Sequence, residues 1–143
     1  MAEAEAYERA LGDAVRQALA AYPPDAAAVR EGRAHGVWSV EVTPVNPAAA
    51  RCSVAYAGGD EATVAFGGTH AYLWDDDPLV LAARVSELLS AACAGRVEEA
   101  GRRGDAFARV VLADGRRVGV GAAHLPWPWR WRRVRRYEPI SAG

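Results

Sequence analysis

Residues 61–100 constrain the fold more than any other stretch of the chain. They read EATVAF, GGTHAYLW, DDD, PLVLAARVSELLSAACAG and RVEEA: a strand, a glycine bend, an acidic cap, an amphipathic helix and a second strand. Ala62, Val64 and Phe66 alternate onto one side, as in a half-buried strand. Asp77 followed by Pro78 is a strong helix start, an N-cap carboxylate with proline at the first helical position. Leu81, Val85, Leu88 and Ala92, flanked by Val80 and Leu89, recur at three- and four-residue steps and give the helix one apolar stripe. Gly95 stands where a left-handed C-terminal residue belongs. A strand that passes to such a helix and returns to a strand is the smallest unit able to bury a sheet face.

The flanking sequence supplies the rest of the sheet. Residues 3–22 read as a helix with Tyr7, Leu11, Ala14, Val15, Ala18, Leu19 and Tyr22 on one face. Glu3, Glu5 and Glu8 complement the dipole at its start, and Pro23-Pro24 ends it. Asp25 is expected to cap a short helical turn over residues 25–33. Trp38, Val40 and Val42 then alternate with Ser39, Glu41 and Thr43. Cys52, Val54 and Tyr56 repeat the pattern, and Gly58-Gly59-Asp60 turns the chain into residues 62–66, so the three runs predict an antiparallel meander. Gly67-Gly68 breaks the third strand, leaving residues 69–74 as its bent continuation or a short extra strand. Residues 96–100 and 106–112 read as strands, and Asp114-Gly115 is a hairpin signal before the return strand 116–121. The expected fold is α+β: one antiparallel sheet of about five to six strands with two main helices packed on one face, in the order α-β-β-β-α-β-β-β, as a single domain over 1–143.

Composition excludes some classes. No run of eighteen apolar residues could cross a bilayer, and the acidic opening MAEAEAYERA has no basic region of a secretory signal, so the expected location is cytoplasmic. Cys52 and Cys93 fall on apolar faces and read as buried free thiols, because a structural zinc would ask for more ligands at close spacing. All seventeen basic residues are Arg, which reads as compositional bias and not as a function. Their distribution is more telling: residues 1–100 hold fifteen acids against seven Arg, and residues 101–143 three acids against ten Arg. Such segregation suggests a basic face that meets an acidic partner or the chain's own acidic part.

The basic part ends in HLPWPWRWRRVRRYE. Pro126 and Pro128 forbid a helix at its front. In an extended chain Trp127, Trp129 and Trp131 project to one side and Arg130 and Arg132 to the other. Together with Arg133, Arg135 and Arg136 they form a dense positive cluster that needs an anionic complement. Three uses compete: the indoles complete the core while the arginines pair internally; the segment docks a protein, since Trp and Arg are the residues of interface hot spots; or it binds nucleic acid or an anionic membrane surface. The acidic remainder and a sequence pI near 6.3 weigh against the last.

Candidate chemistry is sparse. His70 with Asp75, Asp76 and Asp77 could hold a hard cation or form a small enzyme's site, yet capping of the next helix explains the aspartates without a ligand. Gly67-Gly68-Thr69 resembles a phosphate loop only superficially, lacking the spacing and the Lys of one. His35 and His124 lie in loops, and no serine or cysteine sits in a nucleophile motif. No cofactor is expected. The helix–meander–helix–hairpin order is similar, at the level of topology, to secretion chaperones and toxin-neutralising immunity proteins. The sparse site chemistry, the segregated charge and the Trp- and Arg-rich end together lead to the expectation of a non-enzymatic protein that binds another protein or itself through Trp127, Trp129, Arg130, Trp131, Arg132, Arg133, Arg135 and Arg136.

Overall fold

The computed structural model describes residues 2–101, 106–121 and 134–141. Its elements run α1 (Ala2–Leu19), β1 (Ala27–Ala34), β2 (Val37–Pro44), β3 (Cys52–Tyr56), β4 (Glu61–Phe66), β5 (Thr69–Trp74), α2 (Pro78–Cys93), β6 (Val97–Ala100), β7 (Phe107–Val111), β8 (Arg117–Gly121) and β9 (Arg135–Arg136). The architecture is α+β with both sheets antiparallel, and the strands divide between a five-stranded sheet in the order β1-β2-β3-β4-β5 and a four-stranded one in the order β8-β7-β6-β9. The strands expected to form one sheet thus form two, because alternation specifies which face of a strand is buried and leaves its neighbour open.

The core follows the apolar phases of the sequence. Trp38, Val40, Val42, Cys52, Val54, Tyr56, Ala62, Val64, Phe66 and Ala71 cover one face of the first sheet, in a register that sets Val40 opposite Val54 and Val54 opposite Val64. Helix α1 lies over β2 and β3, α2 over β4 and β5, and the two helices pack on each other. Tyr7 of α1 stacks on Tyr56 with ring centroids 5.3 Å apart and donates its hydroxyl to the Asp75 carbonyl at 2.7 Å, tying α1 to the turn before α2. That turn is built as its sequence demands: the Asp77 side chain accepts from the Leu79 amide at 2.9 Å, Pro78 opens the helix, and Gly95 follows its end with φ 74°. Helix α1 stops at Leu19 rather than at residue 22.

Residues 25–33 correct the expected helical turn. Most of this stretch is strand β1, paired along its whole length with β2 from Ala27 opposite Pro44 to Ala34 opposite Val37. His35 and Gly36, both with positive φ, form the two-residue hairpin loop that fits the twist of the flanking strands. The strand lies at the sheet edge, where β propensity matters less than pairing. Its helix-side positions carry Glu31, bonded to the Trp38 indole at 3.0 Å, and Arg33, bonded to Glu8. Inward charges of this kind discourage a further strand from adding to the edge. Residues 69–74 are a strand of their own, joined to β4 through Gly67-Gly68.

Cys52 and Cys93 are buried and unbridged. A hydrogen bond with the Cys93 thiol and then burial push the Cys52 thiol well above its ordinary value, so it stays protonated. Ile140 packs over Cys93 and Ala49, and its amide donates to the Cys93 carbonyl at 2.9 Å. The end of the described chain is thereby anchored beneath α2. Among the described residues no helix is long and apolar enough to cross a membrane.

Candidate functional site

Strand β6 carries two adjacent glutamates, and adjacent strand residues point to opposite faces. Glu99 shares its phase with Val97 and is fully buried. Its carboxylate accepts from the Gly68 amide at 2.9 and 3.1 Å, from the Thr69 hydroxyl, from the Tyr137 hydroxyl at 2.7 Å and from Arg135 through Nε at 3.1 Å and Nη2 at 2.9 Å. Two carboxylate oxygens offer about four lone-pair sites, so this acid is saturated by its own chain. Burial opposes the charge on Arg135, but the hydrogen bond and charge of Glu99 outweigh it and raise the guanidinium further above its ordinary value. Burial first, then Glu99, hold the Tyr137 proton more tightly than usual. The turn beside this network requires glycine: a Cβ on Gly67 would lie 2.2 Å from the Tyr137 hydroxyl oxygen, and φ is 59°. The Gly67-Gly68-Thr69 turn does cradle an anion, the chain's own Glu99.

The opposite face of the same sheet is open and basic. Glu98 lies between Arg109 on β7 and Arg136 on β9. Its carboxylate meets Arg136 at 3.4 Å and Arg109 at 3.8 Å, exposed pairs that contribute little to stability. In the next row Val111 of β7 stands opposite Arg117 of β8, and its amide bonds to the Arg96 carbonyl at 3.0 Å on the other side. These side chains line a cleft of about 510 Å³ with Gly95 and Tyr137 at its rim. Among the described residues that line it, four are arginines and one, Glu98, carries a carboxylate. Arg96 and Arg117, both exposed, make no ion pair with any described residue. Such a surface holds oxyanions by paired, charge-assisted N–H bonds.

Of the eight residues expected to contact a partner, Trp127, Trp129, Arg130, Trp131, Arg132 and Arg133 lie outside the described residues. Arg135 faces inward to Glu99, and Arg136 sits on the rim of the cleft. The structure does not gather His70 with the aspartates. His70 is exposed at the start of β5, roughly 17 Å along an extended strand from Asp75. Asp75 accepts from the Asp77 amide at 2.9 Å and lies 3.5 Å from Arg84, Asp77 caps α2, and Asp76 faces solvent. Among the described residues no three His, Cys, Asp or Glu side chains are placed to hold a metal ion.

Sequence reasoning missed Arg96, Arg109, Arg117 and Glu99. The first three were legible as the polar phase of alternating strands. Glu99 had a signal too, an acid in phase with Val97 where an apolar residue is due.

Comparison with known proteins gives no match: no protein-family model, no curated protein and no solved structure is similar to the chain. Its site is therefore interpreted from its own geometry.

Proposed function

We propose that this protein acts by binding another protein, taking an acidic segment of that partner on the arginine face of the second sheet, in the manner of a chaperone-like or immunity-like adaptor. The observation that carries this is the convergence on one cleft of Arg109, Arg117 and Arg136 from β7, β8 and β9 with Arg96, which directly precedes β6, and with Glu98 as the only acid among the described residues that line it. The sheet fixes the backbone spacing of these arginines, so side-chain freedom is the main order to be lost there on binding. Arg is also the charged residue most used at interface hot spots. The acidic first hundred residues disfavour a polyanion that would run across the whole molecule, which favours a partner of local negative charge over nucleic acid. The Trp- and Arg-rich residues 127–133 lie outside the described residues, and their expected contact with a protein partner is part of the same proposal.

Titration of the intact chain with a Glu- and Asp-rich peptide tests the proposal. Binding should appear at low salt, weaken as salt rises, and vanish in the Arg96→Glu/Arg117→Glu variant. Binding that survives both substitutions would overturn it, as would a single-stranded oligonucleotide that binds more tightly than the peptide.

A further inference from the structure

We infer that the group this cleft takes from the partner is a phosphorylated side chain, an inference that rests on the protein-binding proposal above. The sheet geometry sets the requirement. Arg96, directly before β6, and Arg117 of β8 flank Val111 on its two sides, with Cα positions about 10 Å apart at ordinary strand spacing. Arg109 lies two residues back on the same face of β7, about 7 Å away. Arg96 and Arg117 thus stand on either side of Val111, with Arg109 behind it on β7 and Arg136 across Glu98.

A single carboxylate has one charge and two oxygens, and one guanidinium fork satisfies it. Two forks flanking one residue ask for more charge and more acceptors than that. A phosphate monoester supplies both, with a charge of about −1.5 to −2 at neutral pH and three acceptor oxygens. Glu98 offsets one of the four arginine charges and keeps Arg109 and Arg136 drawn to its own side. That leaves Arg96 and Arg117 as the principal ligands over Val111. The valine side chain offers no hydrogen-bonding group of its own, so a phosphoryl oxygen placed there is approached by arginine donors, with Glu98 as the competing carboxylate among the described lining residues. Phosphate recognition by Arg clusters is a recurrent mode of peptide binding.

The test compares three short Gly/Ala peptides that differ only at the centre: phosphoserine, aspartate or unmodified serine. Each is titrated into the full chain by calorimetry beside the Glu- and Asp-rich peptide. The phosphoserine peptide should bind about tenfold or more tightly than the aspartate one, and the serine peptide should not bind. Arg96→Glu/Arg117→Glu should abolish the difference. The milder Arg96→Gln/Arg117→Gln pair should do the same, which guards against a folding defect in the first. Equal affinity for aspartate and phosphoserine would overturn the phosphate inference and leave the acidic-partner proposal standing. Absence of binding to every acidic and phosphorylated peptide would overturn both.

Discussion

The two faces of strand β6 put the same chemistry to opposite ends. Inside, one carboxylate, Glu99, is met by an amide, two hydroxyls and a guanidinium, and nothing remains for a ligand. Outside, Glu98 pairs with Arg109 and Arg136, and Arg96 and Arg117 of the same cleft make no ion pair with any described residue. A buried ion pair is held in place by its surroundings and costs much to break, whereas exposed pairs contribute little and exchange readily. The comparison separates arginines that build the fold from arginines available to a partner, a distinction that charge counting along the sequence does not make.

The largest effect expected from breaking this comparison is on the inner face. Glu99→Ala leaves Arg135, Tyr137, Thr69 and the Gly68 amide without their acceptor. Because Arg135 is still partly exposed and recovers some hydration, the loss should be about 3 kcal/mol. Glu98→Ala on the outer face should change stability by less than about 0.5 kcal/mol. Urea unfolding of the two variants side by side measures the contrast, and equal losses would erase it.

Gly67→Ala should come next, at about 2 kcal/mol, combining a left-handed backbone with displacement of Tyr137. Tyr137→Phe should cost about 1 kcal/mol at neutral pH, and its pH dependence sharpens the point. The folded protein holds the Tyr137 proton more tightly than the unfolded chain does. The stability that this hydroxyl contributes is therefore complete below the ordinary tyrosine value of 10.0 and is lost as pH rises through the higher folded value. The gap between wild type and Tyr137→Phe should narrow above that pH in denaturation series, and a gap that widens would place the proton wrongly. Smallest of all, Arg96→Ala and Arg117→Ala should each shift unfolding by no more than about 0.5 kcal/mol while weakening binding of an acidic peptide.

Much of this fold is readable from the chain because its strands alternate large apolar with polar residues. Val40, Val54, Val64 and Val110 all lie buried where period two puts them, and Asp77-Pro78 opens α2. Strand β1 escaped the same logic because its helix-side positions are Ala27, Val29, Glu31 and Arg33, with a single large apolar member to signal a buried face. The split into two sheets escaped because pairing partners are chosen by turns and packing, not by alternation. The basic face was half visible. Dividing the charge at residue 100 assigned Arg96 to the acidic part, although in space it belongs with Arg117, across Val111. Nothing in RRVRRYE distinguishes Arg135, the arginine that Glu99 holds, from its neighbours.

The arginine Nε–H resonances of the ¹⁵N-labelled protein test the division most directly. On adding an acidic or phosphorylated peptide, the signals of Arg96, Arg109, Arg117 and Arg136 should move while that of Arg135, bonded to Glu99, stays in place. Movement of Arg135 with the outer four unmoved would contradict the account.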